Sequence, residues 1–437
     1  MARLLSKVVE RRLRSVVHRR MASEPVIILQ GARAVGKSTL LAVLAAGNSR
    51  EVVDLDDLAT RDAVRADPNL FVSGDPPVFI DEFQHVPDVL DAIKVELNRD
   101  SRPGRFVITG STRYGMLPAA AQALTGRAHL VEVRPLSQGE IGEVREDLAE
   151  ALLRDPASVV GASATEHRSG YIRRTVAGGF PMPLRRAEAA NRARWFDDYM
   201  QLVLGRDVLA LTKIRQRHQL PRLLRQLASQ TGQVLNIATA ASALGMETTT
   251  AENYTKLLEA VFLVQQLPAW GTTLGSRVGA APKVHVVDSG LAARLLRLTE
   301  TKLAAASASA LTEFGHLLET FVVGEMCKQL DWLDEPTIRG HWRTHDGDEV
   351  DLVIERDDGK VVAIEVKAGS RVRSGDLSGL LKLRRRMGSQ FLGGVAMYTG
   401  ARSYSPERDI HVVPVERLWR SAQHDEELEA NPSRARA

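Results

Sequence analysis

Gly31-Ala32-Arg33-Ala34-Val35-Gly36-Lys37-Ser38, followed by Thr39, has the residue types and spacing of a loop that wraps a chain of phosphates. Its glycines let successive backbone N–H groups turn toward phosphate oxygens. A helix opening at Ser38 adds the partial positive charge of its N-terminus. Lys37 is placed to reach the β- and γ-phosphates, and Ser38 to ligate Mg²⁺. The preceding Val26-Ile27-Ile28-Leu29 reads as a buried strand and residues 38–46 as a helix, which is the context that this Walker A pattern requires.

Val78-Phe79-Ile80-Asp81-Glu82 supplies the complementary acidic end. An apolar strand delivers two carboxylates at its C-terminal edge, where parallel sheets bind ligands. Asp81 is placed to hold Mg²⁺ through water, and Glu82 to orient or deprotonate an attacking water. The alternative is an acidic cap on the next helix. A further apolar run ends in Thr109-Gly110-Ser111-Thr112, where Thr109 or Ser111 can bond the γ-phosphate or the water. Gly126-Arg127 follows, and Arg127 could contact the γ-phosphate in cis or from a neighbouring subunit; a surface arginine fits equally. The cofactors expected from these residues are ATP and Mg²⁺.

A second constellation lies far downstream. Glu349-Val350-Asp351-Leu352-Val353-Ile354 leads through Asp357-Asp358-Gly359 into Val361-Val362-Ala363-Ile364-Glu365-Val366-Lys367, the pattern of a hairpin. Glu365 and Lys367, two apart on a strand, share a face, and Asp351 can sit beside them on the facing strand. Two such carboxylates can hold Mg²⁺ over a scissile phosphate while a lysine positions the water. Glu319, on a helix before the hairpin, can complete a metal shell of Glu319, Asp351 and Glu365, and Mn²⁺ suits the same donors. A lysine–carboxylate ladder is also an ordinary surface feature of strands.

The elements that must carry these groups follow from periodicity. Residues 26–30, 51–55, 77–80 and 105–109 read as buried strands alternating with helical stretches, which predicts a parallel α/β sheet. Residues 145–211 are mostly helical, broken at Gly178-Gly179-Phe180-Pro181. Residues 235–264 read as helix, turn at Gly245, and second helix capped by Thr248-Thr249-Thr250, with Ala238, Ala241 and Leu244 as an apolar stripe. Such a unit can enter a DNA groove, although Glu247, Glu252 and Glu259 leave its exposed face acidic, and a lid or linker domain is the blander alternative. Strands at 283–287, 349–355, 361–366 and 393–398 complete the expectation.

Composition narrows the class. The chain has 437 residues, 44% hydrophobic and 26% charged, with a formal net charge of +4. That describes an ordinary globular protein of several domains, mildly basic. One cysteine, Cys327, excludes an intramolecular disulfide and argues against a cysteine zinc site. No apolar run is long enough to span a membrane, and the basic N-terminus lacks a signal-peptide core; a cytoplasmic protein without membrane contact is expected. Two basic clusters stand out: Lys213, Arg215, Arg217, Arg222 and Arg225, and Arg371, Arg373, Lys382, Arg384, Arg385 and Arg386. They read either as phosphate contacts or as solvated helix faces.

The order Walker A, Walker B ending Asp81-Glu82, a strand ending Thr109-Gly110-Ser111, then Gly126-Arg127, resembles the AAA+ ATPases. Over nearly its whole length the chain is similar to a prokaryotic family that joins such an ATPase to a C-terminal domain of unknown function with a nuclease-like fold. Pro135-Leu136-Ser137, Gly178-Gly179-Phe180-Pro181 and Arg206-Asp207 share in that likeness. Glu319, Asp351 and Glu365-x-Lys367 resemble the site of the PD-(D/E)XK nucleases, with Val350 where a proline commonly stands.

The resemblance implies an α/β chain with an amphipathic N-terminal helix (1–24), an AAA+ P-loop parallel-sheet domain (25–144) and a helical region (145–212). A winged-helix-like domain (213–290), an α/β PD-(D/E)XK nuclease-like domain (291–425) and a disordered tail (426–437) follow. The implied function is Mg²⁺-dependent ATP hydrolysis coupled to a nuclease-like domain acting on nucleic acid, DNA rather than RNA, with homo-oligomers allowed. The alternative is a regulatory or signalling ATPase whose C-terminal domain binds partners without cleaving them.

Overall fold

A computed structural model describes residues 5, 7–116, 124–161, 163–208, 216–273, 277, 280–305 and 307–420. The tail from 426 onward, Lys213 and Arg215 lie outside the described residues.

Five parallel strands form the first sheet, in the order Val52–Asp54, Val78–Asp81, Phe106–Gly110, Val26–Gln30, Ala128–Glu132. Alternation decides which face each residue serves. Ile27, Leu29, Phe79 and Val107 join one apolar cluster, whereas Val26, Ile28, Ile80, Phe106 and Ile108 join the other. Val26–Gln30, Val78–Asp81 and Phe106–Gly110 are buried at every position and read as continuous apolar runs, which makes them visible in the sequence; the short edge strand Val52–Asp54 is only partly buried and shows by its valines. Ala128–Glu132 is half-buried at the sheet edge and does not show. Because all five are parallel, Gln30, Asp81 and Gly110 end at one edge. The strand Phe106–Gly110 lies between the two motif strands.

The expected N-terminal helix is shorter than its basic segment. It spans Leu13–Met21 and buries Leu13, Val16 and Val17. Residues 7–12 run as irregular chain, and Arg11 is drawn inward: it donates to the carbonyls of Val35 and Arg134, both at 2.7 Å, and to Glu140.

Helices Leu148–Arg154, Arg168–Ala177 and Ala189–Leu202 are the longest among the described residues of the next segment. Helices Gln219–Ser229, Ile237–Leu244 and Thr248–Ala260 follow, with a small antiparallel sheet ordered Gln233–Val234, Lys283–Val286, Val264–Leu267. Gly245 takes the left-handed conformation that closes the middle helix. Two local expectations shift. Glu247, not the threonine run, precedes the last helix, with no side-chain cap. Ala240, Ala241 and Leu244 are the buried stripe, and Ala238 is exposed.

The C-terminal sheet has six strands, ordered Tyr404–Glu407, Ile410–Pro414, Phe391–Tyr398, Val361–Lys367, Glu349–Arg356, Thr337–Arg343. Pairing is antiparallel through the hairpin and parallel from Val361–Lys367 to Phe391–Tyr398. The 24-residue helix Ala308–Asp331 packs on this sheet and also reaches the first domain's borders. Glu325 accepts from Gln138 N at 2.8 Å, and Asp331 pairs with Arg134 at 2.7 Å.

Candidate functional sites

The phosphate loop closes tightly after its strand. A Cβ on Gly31 would lie 2.2 Å from the carbonyl oxygen of Val133, and Gly36 has φ +99°, so neither position tolerates a side chain. Lys37 is buried, with Nζ 3.0 Å from the carbonyls of Gly31 and Ala32. Burial pushes its ammonium pKa down, against the pull of Glu82. Ser38 and Thr39 are exposed at the helix start. Ser38 stands close enough to Asp81 to pull its carboxyl pKa down, which brings the two expected Mg²⁺ ligands near each other.

Asp81 ends its strand inside a hydroxyl clasp. Thr109 Oγ1 donates to Asp81 Oδ1 and accepts from the backbone N of Glu82 at 3.1 Å. Burial raises the Asp81 carboxyl above its usual range despite these donors. Glu82 sits at φ +53°, ψ +49°, a left-handed conformation unusual for a glutamate and of the kind that active sites retain. Gln84 Nε2 donates to the Glu82 carboxylate and to Ser111 Oγ at 3.0 Å. Gln84 was not anticipated; its position two residues beyond a Walker B glutamate is the only local signal.

Arg127 is placed elsewhere. It precedes Ala128, which pairs with Val26 at the opposite edge of the sheet from Gln30 and Asp81. Arg127 donates to Asn98 at 2.7 Å. The parallel direction of the strand therefore removes the cis contact with the γ-phosphate. Arg113 stands instead at the Asp81 edge, three residues past Gly110. It reaches into the middle region: its Nε donates to the Glu259 carbonyl at 3.0 Å, its backbone N to the Ala260 carbonyl at 2.9 Å, and its guanidinium lies 4.7 Å from the Phe262 ring centre.

In the C-terminal sheet the hairpin pairs Leu352 with Ile364, which brings the next residues outward along the two strands, Asp351 and Glu365, close to each other. Asp351 Oδ2 accepts from Val366 N at 2.9 Å, and Lys367 Nζ lies 2.7 Å from Glu365 Oε1. Glu319 reaches the same point from its helix, but the group that joins it to Asp351 is a lysine. Lys283 Nζ, from the strand Lys283–Val286, lies 2.7 Å from Glu319 Oε1 and 2.7 Å from Asp351 Oδ1. Burial alone would depress that ammonium; Asp351 and Glu319 outweigh it and hold its pKa above the usual lysine value. Burial and then Asp351 push both Glu319 and Glu365 well above the carboxylate range. Glu365 Oε2 is buried without a hydrogen-bond partner. Among the described residues, no three His, Cys, Asp or Glu side chains are arranged to hold a metal ion. The expected shell of Glu319, Asp351 and Glu365 is thus assembled around a lysine, and these residues in this arrangement do not fit Mg²⁺ or Mn²⁺.

A loop that cradles phosphates, a buried lysine and an Asp-Glu strand end on a parallel sheet define a P-loop ATPase domain. A family model described as an AAA domain matches residues 23–142, so this domain binds ATP as an AAA-type ATPase. Models for two domains of unknown function, DUF8612 and DUF4143, match residues 168–302 and 314–418. The chain is 31% identical over 376 residues to "Uncharacterized protein Rv2008c" of Mycobacterium tuberculosis, covering 84% of this chain and 76% of the relative. It is equally similar to "Uncharacterized protein Mb2031c" of Mycobacterium bovis. The chain belongs to the family of these two mycobacterial proteins. Among solved structures it is similar to the Walker-type ATPase PABY2304 of Pyrococcus abyssi, with 15% identity, TM-score 0.40, and coverage of 67% of this chain and 97% of that one. It also resembles AMPPCP-bound DnaA from Aquifex aeolicus, with 15% identity, TM-score 0.23, and coverage of 58% and 89%. No helix among the described residues is long and apolar enough to cross a membrane.

Proposed function

We propose that the chain hydrolyses ATP with Mg²⁺ and couples that cycle to a C-terminal domain of nuclease-like fold that engages nucleic acid, DNA before RNA. The observation carrying the ATPase half is the hold of the Thr109 hydroxyl on Asp81 beside buried Lys37. Hard oxygen donors of this kind suit Mg²⁺; Ser38 and Asp81 would hold the ion, which would offset the charge of the phosphates. Lys37 neutralises the phosphates, and Glu82, held by Gln84, orients the attacking water. The helix–helix–hairpin order of the middle region supports a winged-helix reading, and the αβββαβ order from Ala308 to Tyr398 supports the PD-(D/E)XK one. The division into an AAA+ domain (25–144), a helical region (145–212), a winged-helix-like domain (213–290) and a nuclease-like domain (291–425) is part of this proposal, as are a cytoplasmic location and a homo-oligomer in which Arg127 acts in trans.

Lys283 favours a second reading. With an ammonium between Glu319 and Asp351, the C-terminal domain is a binding module that regulates or signals without cleaving. Full-length protein incubated with Mg²⁺ or Mn²⁺ and plasmid, with and without ATP, separates the two. Metal-dependent nicking supports the nuclease; ATP hydrolysis with intact plasmid and retained DNA binding supports the binding module. Absence of ATP hydrolysis overturns both.

A further inference from the structure

The reading of the first domain as an ATPase leaves open which cation meets the γ-phosphate from within the chain, and the inference below rests on that reading. In hydrolysis, water adds to the γ-phosphorus and its proton passes to Glu82 and on to solvent. The bond to the β–γ bridging oxygen breaks, and its electron pair leaves with ADP. A guanidinium beside the γ-phosphate stabilises the charge that develops there.

The strand after Arg127 starts at the far edge of the sheet. Two arginines on the Asp81 side are committed to carbonyls. Arg61 donates to Leu55 at 2.8 Å and to Asp56 at 3.2 Å, and Arg113 Nε donates to Glu259 at 3.0 Å.

Arg33 is placed differently. It is the third residue of the phosphate loop, and Lys37 Nζ lies 3.0 Å from the carbonyl of Ala32, one peptide bond before it. Ala34, the next residue, holds φ +60°, a left-handed conformation that a residue with a Cβ takes against a steric cost. Glu82 and Lys37 both lie within range of the Arg33 charge. Among the described residues Arg33 has one hydrogen-bond partner: Nε donates to Asp207 Oδ2 at 2.5 Å. That hold fixes the plane of the guanidinium and leaves the donors of Nη1 and Nη2 unused. The side chain is 26% exposed, so a ligand in the loop can meet them. A guanidinium beside a buried ammonium is favoured only where anions stand close. Asp207 is one such anion, and a bound triphosphate supplies the other.

We propose that Arg33 is a catalytic residue acting in cis: Nη1 and Nη2 take oxygens of the γ-phosphate, while Asp207 holds Nε and positions the fork.

Steady-state ATP hydrolysis by the full-length chain tests this. Arg33→Ala should lose at least about 10²-fold in kcat, the scale of one preorganised donor, yet still bind ADP, which has no γ-phosphate. Asp207→Asn breaks the same ion pair and leaves the guanidinium in place. The kcat of Arg33→Ala should therefore lie at least about tenfold below that of Asp207→Asn. Arg33→Lys keeps the charge and can keep the pair but has no fork, and it should also lose about tenfold or more. Trapping of ADP with aluminium fluoride, a mimic of the transferring phosphoryl group, reads the same contact without turnover; the wild type should form this complex and Arg33→Ala should not. If Arg33→Ala and Asp207→Asn turn over ATP equally, or Arg33→Ala traps the complex as the wild type does, Arg33 acts through its ion pair alone and the proposal falls while the ATPase reading stands. If Arg33→Ala does not fold, Arg33→Lys decides, and a wild-type kcat in that variant overturns the proposal. A wild-type chain that hydrolyses no ATP overturns the ATPase reading, and the role of Arg33 with it.

Discussion

Arg33 Nε lies 2.5 Å from Asp207 Oδ2, so an ion pair ties the phosphate loop to the turn Val203–Asp207 that ends the helix Ala189–Leu202. Asp207 is buried and Arg33 only partly exposed. The pair fixes where the third residue of the loop points, beside Lys37. It also makes the shape of the loop depend on a segment about 170 residues away, as the separation of 174 shows.

Asp207→Asn should therefore weaken ATP binding even though Asp207 touches no phosphate. Losing one partner of a half-buried pair leaves Arg33 uncompensated beside Lys37. The expected loss of ATP affinity is about tenfold, or roughly 1.4 kcal/mol. An ATP-analogue titration giving the wild-type Kd would disconnect the pair from the loop.

Glu82→Gln should bind ATP and trap it, with hydrolysis reduced on the order of 10² or more. Lys37→Ala should instead lose binding. Hydrolysis at the wild-type rate in Glu82→Gln would remove Glu82 from the chemistry.

Thr109→Val keeps the shape of the threonine and removes the hydroxyl that serves Asp81 and the Glu82 backbone. Partners that orient a metal ligand are typically worth about 10- to 100-fold in metal affinity. The apparent affinity for Mg²⁺ in ATP hydrolysis should fall by that factor, with ATP binding measured without metal little changed. Equal Mg²⁺ dependence in both proteins would show that Asp81 needs no second support.

Acid should loosen the junction around Lys283. His341, facing Lys283, Asp351 and Arg343, is pushed down to about 4 by burial, and His285, facing Lys283, Asp351 and His341, down to about 3. The unfolded chain takes up these protons below about 6.5, the folded chain only near the depressed values. Stability is therefore complete above the unfolded pKa and is lost as pH falls from there toward 4, by up to roughly 3 kcal/mol for His341. His341→Gln should flatten the fall in melting temperature across that window; an unchanged slope would acquit His341.

DNA affinity should draw on the exposed arginines of this face. Arg384 is engaged by Glu407 at 2.8 Å and Lys382 by Asp348, whereas Arg371, Arg373 and Arg385 are exposed. Replacing the latter three with alanine should reduce the slope of log affinity against log salt by about 2 to 3. An identical slope makes this face merely solvated.

Much of the ATP site was legible because its chemistry is local. A loop and its helix, or a strand and the carboxylates at its end, occupy consecutive residues, and their periodicities announce the context. What failed was direction and distance. Arg127 looked plausible by order along the chain, yet the parallel strand after it starts at the far edge. Lys283 was read only as the start of a strand, because its partners lie 36 and 68 residues away. One signal was available. In Lys283-Val284-His285-Val286 all four positions are buried, so a lysine and a histidine share an inward face, and a buried lysine demands an acidic partner somewhere. The hairpin carboxylates were legible by alternation; the charge that neutralises them was not.

That separation along the chain bears on how the protein can be dissected. A fragment starting near residue 311 would keep Glu319, Asp351 and Glu365 but leave Lys283 behind. It would carry three crowded carboxylates and only Lys367 to balance them. Its thirst for cations would be an artefact of the scissors, and metal binding measured on it would describe an amputated molecule rather than the resting state of the whole one.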